Sequence, residues 1–157
     1  MAKRSVHRPF SDDLKLAAPE SPADWEHYYD LRCRVLREPW GQPLGSERDS
    51  LDAQAFHLAL TTPEGRPVAI GRLHLNSPQE AQVRYMAVEE SWRGRGAGGR
   101  LLHGLEAEAH RLEVGAIVLN AREEAVSFYI NHGYRLEGPE ETLFGEVRHF
   151  RMRKEIG

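Results

Sequence analysis

Near its start, the chain passes from a short alternating pattern to a helical one. Leu14 and Leu16 alternate with charged residues and predict a short first strand. A helix is predicted from Ser21 to Arg37, because Ser21 is followed by a proline at the first helical position and by an acid in the first turn. The apolar side of this helix is predicted to consist of Trp25, Tyr28, Tyr29, Leu31, Val35 and Leu36.

The middle of the chain changes to the two-residue period of strands. Residues 40–53 contain glycines and a proline followed by acids, and they predict a loop with one helical turn. Three strands are then predicted over residues 56–60, 68–75 and 82–88. Because the connections between these strands are short, an antiparallel meander is the natural arrangement.

The last third of the chain alternates helices and strands. Leucines and alanines at helical spacing predict a helix over residues 97–113, and the apolar run 116–119 predicts a buried strand. A second helix is predicted from Glu123 to His132, closed by Gly133, a residue type that tolerates a left-handed cap. Strands over residues 134–136 and 147–153 complete the order β-α-βββ-α-β-α-ββ. This order predicts an α/β protein with a mixed, mostly antiparallel central sheet flanked by helices.

Composition narrows the class of protein. The chain has 157 residues, of which 40% are hydrophobic, and this fits one domain over residues 1–157 with a loosely ordered segment 1–12. The 21 basic and 24 acidic side chains give a net charge of -3, which argues against a general nucleic-acid binder. Cys33 is the single cysteine, so an intrachain disulfide is excluded and a reducing compartment is favoured. No signal peptide and no apolar run of roughly 18 residues is present, so we expect a soluble cytoplasmic protein.

The densest chemical signal is the glycine-rich segment Arg93-Gly94-Arg95-Gly96-Ala97-Gly98-Gly99. It lies between a predicted strand and a predicted helix. Its glycines let the backbone approach a ligand closely, and N–H groups at a helix N-terminus favour an anion. Arg93 and Arg95 add two planar cations that suit phosphate. The segment therefore predicts a pyrophosphate-binding loop.

A dinucleotide-binding fold is an alternative for this loop, because Gly94, Gly96 and Gly99 satisfy G-x-G-x-x-G. Polar residues separate the loop from the preceding strand, and Asn120 stands where an acid is expected after the next strand. These two features oppose a dinucleotide fold. A different nucleotide-phosphate binder with the same loop stays a third possibility.

The pattern Arg93-x-x-Gly96-x-Gly98 resembles the coenzyme A pyrophosphate motif of the GNAT superfamily of N-acetyltransferases. Three more segments resemble the family's central strand, second motif and closing strand, in the family's order: residues 83–88, 120–134 and 149–154. The resemblance covers the chain from about residue 55 to the end. Before residue 55 the match is loose. The segment there contains Leu31-Arg32-x-x-Val35 followed by acidic positions, and it is similar to sequences of a bacterial branch of the family that includes ElaA.

The resemblance implies an acyl-CoA N-acyltransferase fold in which two central parallel strands splay apart and receive the pantetheine arm of acetyl-CoA. Met86, Ala87 and Val88 are then expected to offer backbone groups to that arm, and residues 93–99 to hold the pyrophosphate. A backbone N–H near Val88 is expected to bind the oxyanion of the thioester. Asn120 is expected to end the opposite strand and to bind the arm.

Tyr129 is the catalytic residue that the resemblance implies. The family commonly places a tyrosine at this point of the helix, near the coenzyme sulfur, where the departing thiolate needs a proton donor. Ala125 and Phe128 share an apolar helical face with it, so a core role is the alternative. The general base is left open between an ordered water and six side chains: Glu38, Glu47, Asp49, His57, His74 and His149.

The expected reaction is transfer of the acetyl group of acetyl-CoA to a primary amine by direct attack in a ternary complex. A non-catalytic acyl-CoA-binding domain is the alternative. Residues 38–53 and 138–146 are expected to shape the acceptor site, and the acids Glu47, Asp49 and Asp52 indicate either a cationic acceptor or a solvated loop. We expect a small-molecule or peptide amine as acceptor, with no nucleic-acid or membrane partner, and leave a homodimer open.

Two further groups of side chains are expected to carry no chemistry. No metal site is expected, because the eight histidines lack H-E-x-x-H spacing and one cysteine cannot form a thiolate zinc site. The basic residues near the C-terminus predict a solvated strand face rather than a nucleic-acid contact: Arg148, Arg151, Arg153 and Lys154.

Overall fold

A computed structural model describes residues 13–157, and the predicted loosely ordered segment 1–12 lies outside the described residues. The strands are β1 (Lys15–Ala17), β2 (Phe56–Thr61), β3 (Pro67–Ser77), β4 (Glu80–Val88), β5 (Ala116–Arg122), β6 (Arg135–Pro139) and β7 (His149–Glu155). The α-helices are α1 (Pro22–Leu36), α2 (Ala97–Arg111) and α3 (Val126–Asn131). The predicted order of elements and the mixed α/β class are confirmed.

The strands form one sheet in the order β1-β2-β3-β4-β5-β7-β6. The β4–β5 pair is parallel, with a register from Glu80↔Ala116 to Val83↔Leu119. Strand β5 pairs antiparallel with β7 over its whole length, and β7 pairs antiparallel with β6. The prediction that β5 ends at Leu119 is wrong, because pairing with β7 extends it to Arg122. Asn120 therefore lies within the strand and does not end it.

The described residues group into two compact units. The first unit comprises residues 13–49, 57–71 and 85–104. Its core is a buried cluster of residues from α1 and three strands: Tyr28, Leu31, Ala59, Ile70 and Ala87. Helix α1 starts with a complete capping box, in which the Ser21 hydroxyl accepts from the Asp24 N–H and the Asp24 carboxylate accepts from the Ser21 N–H. The predicted start of this helix is confirmed.

The second unit comprises residues 50–56, 72–84 and 105–157. Its core contains the buried apolar residues of α2, β5 and β7, among them Leu105, Ala109, Ile117, Leu119 and Met152. The Tyr134 hydroxyl donates to the buried carboxylate of Glu106 at 2.8 Å, and the ammonium of Lys154 lies 3.2 Å from the same oxygen. One domain over residues 1–157 stays a prediction.

The segment predicted as one helix from Glu123 to His132 is divided in two. A single 3₁₀ turn, Glu123–Ala125, precedes the six-residue helix α3. The Glu123 N–H, at the start of this turn, donates to the Arg148 carbonyl at 2.9 Å. Gly133 has a φ of 94°, which confirms the predicted left-handed residue after the helix.

Candidate active site

The backbone after β4 turns sharply at two glycines. Gly94 and Gly96 have φ values of 74° and 89°, in the left-handed region that glycine tolerates best. Helix α2 begins directly afterwards at Ala97, and the Arg100 N–H donates to the Gly96 carbonyl at 3.1 Å. The N–H groups of a first helical turn have no partner within their own helix, so this loop leads straight to an anion-binding helix terminus.

Two arginines of this loop carry their charge at the surface. Arg93 is exposed, and its Nε donates to the Val88 carbonyl at 3.3 Å. Arg95 is also exposed, with its guanidinium 4.3 Å from the centre of the Trp92 ring. The loop therefore combines backbone donors, a helix N-terminus and two permanent cations, which together suit a pyrophosphate.

Strand β4 contains a strained residue that sequence reasoning missed. Tyr85 has a φ of 58°, a value that is an outlier for an aromatic residue and costs roughly 1–3 kcal/mol. The Arg32 guanidinium lies 4.3 Å from the centre of its ring, and the Tyr85 hydroxyl donates to Asp49 at 3.4 Å. The segment expected to meet acetyl-CoA, Met86–Val88, follows Tyr85 directly. The regular alternation of buried residues along β4 contains no signal for it.

An ion pair anchors the residue that follows β4. Arg34 of α1 donates twice to Glu89, at 3.0 and 3.1 Å, and these hydrogen bonds hold the pKa of Glu89 below its ordinary value. The Glu89 N–H donates to the Val68 carbonyl at 2.8 Å. The start of the glycine loop is thus fixed to α1 and β3. Sequence reasoning missed this pair because its members are far apart along the chain.

The second unit contains the two remaining predicted residues. Asn120 is exposed, whereas residues 116–119 and 121 of the same strand are buried. Tyr129 is buried, with ring centres 5.0 Å from Phe128 and 5.7 Å from Tyr134. Burial raises the pKa of Tyr129 well above 10, so its hydroxyl stays protonated at neutral pH. Met86–Val88 and residues 93–99 all belong to the first unit.

Two of the six candidate bases are held by buried contacts. Glu47 is 1% exposed and accepts a hydrogen bond from the Gly45 N–H at 2.8 Å. Burial acts to raise the pKa of Glu47, but hydrogen bonds from backbone N–H groups outweigh it, so this pKa lies below its ordinary value. His57 is buried, with Nδ1 2.7 Å from the Tyr28 hydroxyl. Both side chains stabilise the core of the first unit.

Two other histidines differ in which ring nitrogen carries the lone pair. His74 Nδ1 lies 3.2 Å from an Arg72 nitrogen, and because arginine only donates, this Nδ1 is an acceptor and the lone pair is committed to Arg72. His149 Nδ1 donates to the Val147 carbonyl at 3.0 Å, since a carbonyl only accepts. In neutral His149 the lone pair is therefore on Nε2, the arrangement a base needs.

The acidic residues of the loop over residues 40–53 form more contacts within the protein than expected. Asp52 accepts from the fully buried Arg72 at 2.8 Å, and Asp49 accepts from Tyr85. The interpretation of a solvated loop is therefore wrong for Asp52, as it is for the buried Glu47. Glu38, the remaining candidate base, is exposed in a 3₁₀ turn.

Other side chains offer little further chemistry. Cys33 is buried, and burial raises the pKa of its thiol. Within residues 13–157, no group of three or more His, Cys, Asp and Glu side chains is arranged to hold a metal ion. None of the described helices combines the length and apolar character that a membrane crossing requires.

Comparison with known families identifies the fold. The family model described as "Acetyltransferase (GNAT) domain" matches residues 41–156. The chain belongs to the GNAT acetyltransferases. It is therefore an acetyl-CoA-dependent N-acetyltransferase, and the resemblance found in its sequence is confirmed.

Individual relatives agree with this assignment. The "Uncharacterized N-acetyltransferase YjcF" of Bacillus subtilis (strain 168) is 31% identical over 142 residues, which is 90% of this chain and 100% of that protein. The crystal structure of a "putative N-acetyltransferase from Lactobacillus plantarum" has a TM-score of 0.81 at 24% identity, and the match covers 93% of this chain and 100% of the other. A GNAT acetyltransferase from Elizabethkingia anophelis, solved with acetyl-CoA bound, has a TM-score of 0.73 at 14% identity with the same coverage. The two structures confirm the predicted acyl-CoA N-acyltransferase fold.

Proposed function

We propose that this acetyltransferase holds the pyrophosphate of acetyl-CoA at residues 93–99. The observation that carries the proposal is the pair of left-handed glycines, Gly94 and Gly96, that leads directly to the N-terminus of α2. Backbone donors and the helix dipole favour a diphosphate at this point, and two exposed arginines add charge. Gly98 and Gly99 keep the first helical turn free of side chains that would hinder its approach.

The pantetheine arm would lie along the end of β4. The parallel register ends at Val83↔Leu119, and we propose that β4 and β5 separate beyond it. Backbone groups of Met86, Ala87 and Val88 then become available to the arm. The backbone N–H groups of this segment are the donors that we propose for the thioester oxygen. The exposed Asn120 would bind the arm from β5.

The reaction would proceed by direct attack in a ternary complex. The acceptor amine, of a small molecule or a peptide, gives up a proton to a base or water and attacks the thioester carbonyl carbon. The resulting oxyanion is stabilised by backbone N–H groups, the carbon–sulfur bond breaks, and Tyr129 gives its proton to the departing thiolate. The products are an N-acetylated amine and free coenzyme A. The reducing environment that one cysteine favours supports a cytoplasmic location.

A matched pair of glycine variants tests the pyrophosphate site. Gly96 and Gly65 have nearly equal φ values, 89° and 88°, so Gly96→Ala and Gly65→Ala strain the backbone alike. Both should lower the melting temperature by a similar amount. Only Gly96→Ala should weaken acetyl-CoA binding, measured by calorimetry, by at least about tenfold, because its Cβ occupies the phosphate cradle. Equal acetyl-CoA affinities in the two variants would overturn the assignment of this loop.

A further inference from the structure

One face of β4 in the second unit is polar. In β4, Ala81 and Val83 are buried, while Glu80, Gln82 and Arg84 alternate with them toward the opposite face. Asn76 of β3 donates to both Glu80 and Gln82, at 2.9 and 3.0 Å, so β3 contributes to the same face.

The register carries this face into the next two strands. Gln82 is paired with Val118 of β5, and Asn120 lies two residues further on the same side. Asn120 is paired with Arg151 of β7. We call Arg84, Asn120 and Arg151 the open strip. Arg84 and Asn120 are exposed, Arg151 is 32% exposed, and all three belong to the second unit.

The open strip lies where the parallel register of β4 and β5 ends. Arg84 and Asn120 are the first residues beyond the last pair, Val83↔Leu119. Arg84 also precedes by two residues Met86, which the proposed function assigns to the acetyl-CoA arm. The open strip is therefore close along the chain to the segment that the proposed function assigns to the arm.

Arg151 is held less tightly than its neighbour Arg153. Its nitrogens lie 3.5 Å from Glu137 and 3.8 Å from Glu80, beyond the roughly 2.7–2.9 Å of a charge-assisted hydrogen bond. Arg153 contacts Glu155 at 2.6 Å and Glu80 at 3.1 Å. Asn76 and Arg153 already bind Glu80, and with Arg151 they hold the pKa of this carboxyl below its ordinary value. Arg151 can therefore turn toward an incoming anion while Glu80 keeps its hydrogen bonds.

We propose that the open strip binds a carboxylate of the acceptor, so that the acceptor is a small amine with its own carboxylate, as in a free amino acid. This inference rests on the proposed function for the position of the thioester. Arg84 and Arg151 are on β4 and β7, the strands either side of β5. The guanidinium group matches a carboxylate in geometry, so the two arginines supply the carboxylate contacts, while Asn120 is assigned to the acetyl-CoA arm. The acids Glu47 and Asp52, which suggested a cationic acceptor, are committed to contacts within the protein.

The test compares amines that differ only in the carboxylate. Alanine against ethylamine, lysine against 1,5-diaminopentane and phenylalanine against 2-phenylethylamine are assayed by release of coenzyme A thiol from acetyl-CoA. At least one amino acid should exceed its partner in kcat/KM by at least about tenfold. Arg151→Gln should raise the KM for that amino acid about tenfold or more and leave the KM for acetyl-CoA unchanged, since it removes charged hydrogen bonds to the carboxylate. Each amino acid also differs from its partner amine in basicity. This difference cancels when the ratio of their kcat/KM values is compared between wild type and variant.

Arg153→Gln is the matched control, because it removes the same charge from the same face of the same strand. It should lower stability and leave the amino-acid KM unchanged. A preference for the amines without a carboxylate, or equal KM changes in the two variants, would overturn the proposal. If none of the amines is acetylated but acetyl-CoA still raises the melting temperature, this proposal is overturned and the proposed function stands. Failure of acetyl-CoA to bind would instead overturn the proposed function.

Discussion

Tyr129 meets two requirements with one side chain. Its ring packs edge to face against Phe128 and Tyr134 in the second unit, which is the contact pattern of a core residue. Its hydroxyl is kept protonated because burial raises its pKa. A protonated phenol is what a departing thiolate needs, so the core position and the proposed acid role support each other.

Replacing Tyr129 with phenylalanine separates the two roles. Tyr129→Phe keeps the ring and removes the proton donor, so kcat should fall by roughly 10²–10⁴-fold while acetyl-CoA affinity and melting temperature change little. The pKa of Tyr129 is raised, so the wild-type kcat should not decline between pH 7 and 10 through loss of this proton. A stopped-flow assay of the chemical step measures both. An unchanged kcat in the variant would remove Tyr129 from the mechanism.

Helix α1 shows how a local signal decides an element. Ser21 and Asp24 satisfy N–H groups reciprocally, and Pro22 occupies a position where no N–H is needed. The helix then presents Tyr28 and Leu31 to the core of the first unit. Near the other end of the same helix, Arg32 and Arg34 contact Tyr85 and Glu89.

Loss of the cap should therefore lower stability and leave chemistry intact. Ser21→Ala should reduce the free energy of unfolding by about 1 kcal/mol and the melting temperature by roughly 2–4 °C. Ser50→Ala, at an exposed serine outside the helices, is the control and should have little effect. Backbone hydrogen bonds from Ser21 and Glu20 lower the pKa of Asp24, so its share of the cap is present above about pH 4 and is lost as acid protonates it. Equal melting temperatures for the two serine variants would contradict the role of the cap.

At the scale of the whole molecule, acetyl-CoA should raise stability because it binds the native state and not the unfolded chain. A protein that binds a ligand in its native state and not in its unfolded state should be stabilised by that ligand. The glycine pattern also satisfied a dinucleotide fingerprint, and membership of the GNAT acetyltransferases decides between the two ligands.

A thermal shift assay measures how much acetyl-CoA stabilises the native protein. Acetyl-CoA at a hundredfold excess over its dissociation constant should add about 2.7 kcal/mol of stability, which raises the melting temperature by roughly 5–10 °C. NAD at the same concentration is the control and should leave it unchanged. A larger shift with NAD would contradict the acetyl-CoA site.

Features that depend only on neighbouring residues could be predicted from the amino-acid sequence. The cap of α1, the left-handed Gly133 and the passage from glycine loop to α2 follow from turn and helix rules that act within a few residues. The spacing of apolar positions was enough to predict the order of strands and helices, because an element that buries one face has apolar residues at its own period. The candidate pyrophosphate loop was therefore recognisable before any tertiary contact was known.

Tertiary structure decided the features that depend on partners distant in the chain. Strand β5 reaches Arg122 because β7 supplies its hydrogen bonds, although the apolar run ends at Leu119. The strained φ of Tyr85 is held by Arg32 of α1, a contact that no local pattern encodes. The open strip likewise exists only because the register of three strands brings its residues to one face, since side chains that are far apart in sequence meet only when strands pair.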